Sequence, residues 1–217
     1  MTFSFALQGT KLRRRDQPLG TISSGGTNVQ VNATNQQSTD YEFLTVWRVA
    51  GTPEEVVDVL GNAGTLKQWW PSVYLKVTPV ARGNADGVGS SFDLHTKGWL
   101  PYTLRWRLTV TEPITLHGFA LKAEGDLNGT GRWTFETDGP EVVITYDWRV
   151  STAKPLLRRL SWLLKPAFSA NHHWAMARGE ESLKLELRRR RPGADLSRIP
   201  EPPGPTFVRT KGQLSTQ

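Results

Sequence analysis

Residues 154–191 read KPLLRRLSWLLKPAFSANHHWAMARGEESLKLELRRRR, and their spacing decides the fold. From Pro166 onward, Phe168, His172, Ala175, Met176, Gly179, Leu183 and Leu187 recur at steps of three and four. That places them on one stripe of a 3.6-residue helix. Nearly everything before this stretch alternates as strands do. A sheet has an apolar face to be covered, and this helix is the only late element long enough to cover it. Upstream of Pro166, Leu156, Leu157, Leu160, Leu163 and Leu164 lie among Lys154, Arg158, Arg159 and Lys165, with Trp162 between them. This is an amphipathic basic segment, and Pro166 should break or kink the helix where it ends. Residues 154–165 read first as a cap on the core and second as a weak contact with an anionic membrane surface.

The elements to be covered begin at Tyr41. Phe43, Thr45, Trp47 and Val49 share one face of a strand over 41–50. Thr52 then caps a helix over 53–60: Pro53 suits its first turn, and Glu54 and Glu55 suit its positive end. Val56, Val57 and Leu60 point inward. A second short helix follows around 65–69 and ends at Trp70-Pro71. Six strands come next, over 73–80, 89–96, 102–112, 114–124, 129–137 and 141–151. Turn residues join them at 83–87, 112–113, 125–129 and 138–140. The joins leave no room for crossover helices, so neighbours pair as antiparallel hairpins. One face carries Leu104, Trp106, Leu108 and Val110, then Trp133 and Phe135, then Ile144, Tyr146, Trp148 and Val150. Arg105 and Arg107 turn the opposite face to water. The fold class is therefore α+β: a curved antiparallel sheet of about seven strands wrapped around a long C-terminal helix, with two short helices after the first strand.

Composition bounds the rest. The chain has 217 residues and no cysteine, which removes disulfides, thiolate nucleophiles and Cys-ligated metals. Residues 41–191 form the domain. Residues 1–40, rich in Gly, Ser, Thr, Asn and Gln, read as a disordered lead-in, and 192–217, broken by Pro and Gly, read as a tail. No secretory leader is read, because the basic run 11–15 follows the short apolar stretch instead of preceding it. No apolar run approaches a membrane span, so the reading is a cytoplasmic protein. The net charge of +7 is uneven: residues 151–191 hold 10 basic and 3 acidic side chains, whereas 41–150 hold 10 and 13. Arg188 to Arg191 suit the negative end of the helix. No recognition motif accompanies the charge, so no nucleic-acid partner is expected.

A curved sheet around a helix leaves a space between them, and here tryptophans and a tyrosine point into it. They form either a plain aromatic core or a cavity for an apolar, ring-bearing ligand. The residues placed at that cavity are Trp106, Trp133, Tyr146, Trp148, Phe168, Asn171, His172 and Met176. His172 lies on the apolar stripe, where a histidine is either a satisfied core group or a polar anchor or general base. With Tyr146 it is the candidate for proton transfer. No metal site is expected: His95, His117, His172 and His173 make no i, i+4 pair. No phosphate loop or Gly-x-Ser-x-Gly elbow is present, and no cofactor is read.

The element order and several local patterns resemble the START-like, or Bet v 1-like, helix-grip superfamily (SRPBCC). Within it the chain is most similar to the polyketide cyclase/dehydrase and lipid-transport group. The carrying stretches are 52–57 (TPEEVV), 87–89 (GVG), 125–133 (GDLNGTGRW), 171–176 (NHHWAM) and Gly179-Glu180. The resemblance covers about 41–191 and implies a helix-grip fold whose inner cavity binds a lipid, a polyketide or an aromatic molecule. It leaves three functions open. One is binding of such a hydrophobic small molecule. A second is a polyketide-type cyclase or dehydratase, with His172 and Tyr146 assisting proton transfer. The third is a protein-interaction module resembling the activator of the Hsp90 ATPase, favoured if the tryptophans leave no void.

Overall fold

The computed structural model describes residues 41–152 and 161–206. The lead-in 1–40, the residues 153–160 that carry much of the basic amphipathic segment, and 207–217 lie outside them. Strand β1 (Tyr41–Ala50) leads through Gly51 into helix α1 (Pro53–Leu60). Thr52 and Glu55 close a capping box there: Glu55 N–H donates to Thr52 Oγ1 and Thr52 N–H to Glu55 Oε2. Two orphan backbone donors are thereby satisfied at once. Val56, Val59 and Leu60 are the buried residues of α1, so Val59 takes the place expected for Val57. A 3-10 turn (Ala63–Thr65) and helix α2 (Leu66–Trp69) complete the connection.

Six strands follow: β2 (Tyr74–Ala81), β3 (Ser91–Lys97), β4 (Thr103–Val110), β5 (Gly118–Gly125), β6 (Leu127–Asp138) and β7 (Glu141–Thr152). They form one sheet in the order β1-β7-β6-β5-β4-β3-β2, and all pairs are antiparallel. β5 starts later than alternation suggested, because Thr115 and Gly118 close a turn on each other through backbone and hydroxyl contacts. β5 and β6 are joined through Asp126 alone. Gly125 adopts a φ of 127° there, and the Asn128 side chain bonds both its N–H and its carbonyl. An L side chain rarely adopts that φ, so glycine belongs at this corner.

Helix α3 (Ser161–Arg190) closes the concave side and runs through Pro166 without ending, so the expected break is absent. Its main packing is against β1, α1 and α2. Met176, Gly179, Leu183 and Leu187 are buried, whereas Phe168, His172 and Ala175 are only partly so. The C-terminal half is therefore pressed down and the N-terminal half stands off the middle of the sheet. The arginines at its end do more than face the helix dipole. Arg190 pairs with Asp58 at 2.6 Å, and Arg191 reaches Glu55 at 3.1 Å and the Ala50 carbonyl at 2.8 Å. Arg189 holds the Pro200 carbonyl at 2.9 Å, so the chain beyond Arg191 folds back, with Ile199 buried. These pairs are largely exposed, and each is worth about 0–1 kcal/mol.

Gly179 is where the helix comes closest. A Cβ on it would lie 2.3 Å from Trp70 Cζ2, and Trp70 is itself buried. The contact is with the residue that ends α2. Gly179→Ala should gain about 1 kcal/mol of helix propensity yet destabilise the protein by about 1–3 kcal/mol through overpacking. A urea midpoint at or above that of the parent protein would show that the contact is not tight.

Candidate functional site

The space under the raised half of α3 is a cavity of about 190 Å³. Its floor is the inward face of the sheet. Alternation carries Leu104, Trp106, Leu108 and Val110 from β4, Trp133 from β6, and Tyr146, Trp148 and Val150 from β7 into it. Its roof is Phe168, Asn171, His172, Ala175 and Met176 of α3. Tyr41 and Phe43 close the β1 side, and Leu60, Leu66, Trp70 and Tyr74 close the far side. All eight residues that the sequence placed at a cavity stand in this wall: Trp106, Trp133, Tyr146, Trp148, Phe168, Asn171, His172 and Met176.

The floor is a run of near-parallel rings. Tyr146 stacks on Trp133 at 3.9 Å and 18° and lies at 5.5 Å and 20° from Trp148, which meets Trp106 at 5.9 Å. Register explains it: Trp133 faces Tyr146 and Gly131 faces Trp148 across β6 and β7. Glycine is required at 131, since a Cβ there would come within 2.6 Å of the Tyr146 hydroxyl. The Trp106 indole N–H is spent on Thr96 Oγ1 at 3.1 Å.

The roof carries the polar groups. The His172 ring lies flat on Phe43, centroids 4.0 Å apart at 14°, with Nε2 3.4 Å from Thr45 Oγ1. Thr45 in turn faces Tyr146 in the β1–β7 register. His172 and Tyr146 therefore flank one buried threonine, and their functional groups are not bonded to each other. His173 points elsewhere: it is exposed, and its Nδ1 lies 2.6 Å from the Ser169 carbonyl. Asn171, one of the residues placed at the cavity, uses Oδ1 to accept from Leu100 N–H at 3.2 Å. That bond ties the β3–β4 loop to the helix above Gly98. Phe168 meets Tyr41 at 5.8 Å and Tyr102 at 5.9 Å, both edge to face.

Burial sets the protonation states. It pushes the His172 pKa down to about 3, with a smaller contribution from neighbouring His173. Burial likewise raises the phenols of Tyr74, Tyr102 and Tyr146. Desolvation penalises the charged form in each case, so the wall presents a neutral imidazole and neutral phenols at physiological pH. All four tyrosines of the chain line the cavity, and the sequence singled out only Tyr146. Phe43 and Trp70 were also missed as wall residues. The signal for Phe43 was its alternation with Thr45 and Trp47. Tyr74 was hidden by a register shift between Tyr74 and Lys76 that interrupts the alternation of β2. Among the described residues no group of three or more His, Asp or Glu is placed to hold a metal.

The family described as polyketide cyclase / dehydrase and lipid transport matches residues 42–187, about two thirds of the chain. Solved structures share the fold at low identity. The Zhui aromatase/cyclase from Streptomyces sp. R1128 is 16% identical over 69% of this chain and 94% of its own, with a TM-score of 0.54. A protein from Thermus thermophilus is 18% identical over 66% and 97%, with a TM-score of 0.52. Norcoclaurine synthase from Thalictrum flavum, solved with dopamine and hydroxybenzaldehyde, is 17% identical over 78% and 99%, with a TM-score of 0.50. At these identities the likeness concerns the fold alone. No curated protein matches the sequence.

The low His172 pKa has a consequence for stability. An unfolded histidine titrates near 6.5, and the folded one near 3, so the unfolded chain binds more protons between those values. His172 therefore withdraws stability as pH falls through that window, by up to about 1.4 kcal/mol per pH unit. In urea unfolding series across the window, His172→Gln should show an acid-side slope shallower by about that amount. Parallel slopes for the two proteins would mean that the imidazole is not held neutral by burial.

Proposed function

The chain belongs to the polyketide cyclase / dehydrase and lipid transport family, and from that premise we propose that it binds a neutral, ring-bearing hydrophobic small molecule between sheet and α3. The observation that carries this reading is the cavity of about 190 Å³ whose floor is the Trp133–Tyr146–Trp148 stack. An engineered apolar cavity of about 150 Å³ takes up benzene. A space of similar size suits one ring or two fused rings. The ring would lie against the indoles, and its hydroxyl or carbonyl would meet His172. A neutral imidazole carries one donor and one acceptor, which suffices to orient such a group.

The second reading is catalysis of cyclisation or dehydration, supported by the family and by the fold shared with an aromatase/cyclase. In the free protein its two candidate groups are poorly tuned. A general base works best with a pKa near the working pH, whereas His172 is held near 3 and Tyr146 well above its ordinary value. His172 thus serves better as an anchor than as a base. The open cavity removes the feature that would have favoured the interaction-module reading, tryptophans packed without a void. As to membranes, no helix among the described residues is long and apolar enough to cross one.

Quenching of tryptophan emission by 2-naphthol and by naphthalene tests the anchor. The parent protein should bind both. His172→Leu should weaken 2-naphthol by about fivefold, the worth of one neutral hydrogen bond, and leave naphthalene unchanged. His172→Gln should restore part of the loss. Equal 2-naphthol binding by a folded His172→Leu protein would remove His172 from the site. No quenching by either compound in the parent would remove the cavity reading itself.

A further inference from the structure

The convex face of the sheet, away from the cavity, carries charges along and across its strands, and most of them are matched. Arg107 grips Asp93 through two bonds of 2.8 and 3.1 Å. Arg149 pairs with Asp147, Lys122 with Glu124, Arg132 with Glu112, and Arg48 with Asp138. One row is different. Lys76 of β2 faces His95 of β3, and His95 faces Arg105 of β4. Two cations thus flank one imidazole in that row. Lys76 and Arg105 are exposed, and neither forms an ion pair among the described residues. His95 Nε2 between them is buried and has no hydrogen-bond partner there.

The backbone builds this row. The register shift after Tyr74 sends Tyr74 into the cavity and Lys76 to the outer face, opposite His95. Irregularities of this kind re-aim side chains and gather beside sites. The three residues line a surface groove together with Asp93, Arg107 and Gly125. Gly125, opposite Trp106 in the β4–β5 register, contributes no side chain to fill it.

We propose that Lys76, His95 and Arg105 form a binding site for the phosphate group of a small phosphorylated molecule, on the face of the sheet opposite the cavity. Two cations and an imidazole N–H in one row supply charge-assisted donors to a tetrahedral oxyanion. Asp93 does not compete, because Arg107 already holds both of its oxygens. Asp126 Oδ2 accepts from the Arg105 backbone N–H. The groups facing His95 are thus Lys76 from β2, Arg105 from β4, Asp93 and Lys97 along β3, and Arg107, Glu124 and Asp126 at the edge. Burial, Arg105 and Lys76 together hold the His95 pKa below its ordinary value. A seated phosphate offsets the two cations, so binding raises that pKa.

The test follows the His95 Cε1–H resonance by NMR in the full chain, titrating inorganic phosphate against sodium chloride at constant ionic strength. Phosphate should give a saturable shift and an upward move of the His95 pKa, and chloride should give neither. Lys76→Gln and Arg105→Gln, both at exposed positions, should each weaken phosphate by about fivefold. Lys67→Gln, exposed on α2 and outside the groove, should bind as the parent does. A phosphate shift no larger than that of chloride, or one that persists in the Lys76→Gln/Arg105→Gln double variant, would overturn the site. Co-sedimentation with phosphatidic acid vesicles without any response to free phosphate would overturn the small-molecule assignment. None of these readouts depends on a ligand in the cavity.

Discussion

Everything in this fold hangs on one close contact, the backbone of α3 against the Trp70 ring at Gly179. A glycine in a helix interior is unfavourable, and here it is what lets the C-terminal half of the helix descend. Leu183 and Leu187 then bury almost completely, and Arg190 and Arg191 reach α1. The sheet is twisted, so a helix pressed down at one end stands away at the other. The cavity is the geometric remainder of that asymmetry. It needs no special residue to open it, only large side chains on the far wall and a helix that does not tilt back. The Phe168–Tyr41–Tyr102 contacts and the Asn171–Leu100 bond supply the props at the raised end.

Much of this was legible in the sequence for plain physical reasons. Strand β1 and helix α1 have the bounds that their residues predict, because Thr52-Pro53-Glu54-Glu55 is a strong local start signal and Tyr41–Ala50 alternates cleanly. The inward face of β4, β6 and β7 followed from period two alone, and period two placed Trp106, Trp133, Tyr146 and Trp148 on a common wall. Alternation fails where backbone register slips. Tyr74 lies before such a slip in β2, and Thr115 to Gly118 close a turn that the neighbouring apolar Ile114 and Leu116 disguise. Pro166 misleads in another way. Its missing N–H is a local defect that a long helix tolerates near its first turns, where few carbonyl bonds are lost.

Long-range choices were the part that sequence could not carry. Nothing local says that Asn171 spends its carbonyl on Leu100, 71 residues away, or that Gly179 meets the ring that ends α2. Nor does the basic composition of residues 151–191 reveal its use. Arg189, Arg190 and Arg191 are employed as fasteners to the returning chain, Asp58 and Glu55. Those three arginines are thus consumed in structure at the C-terminal end of the helix. On the sheet's convex face Lys76 and Arg105 form no ion pair among the described residues, although composition by segment shows a mild excess of acid there.

The protonation pattern of the cavity follows from the same geometry. Raising the helix creates a space lined by an imidazole and phenols that desolvation keeps neutral. A buried charge would need a partner of opposite sign. Among the described residues of the wall, the one charged side chain is Lys97, at the end of β3. Deep in the space, hydrogen-bonding capacity is present without charge. That combination discriminates by polarity as well as by size. An ionised guest gains no counter-charge beside the Trp133–Tyr146–Trp148 stack and forfeits its hydration, whereas a neutral ring with one hydroxyl or carbonyl satisfies both the indole faces and His172. The tight contact at Gly179 therefore sets the chemistry of the space that the helix leaves open at its other end.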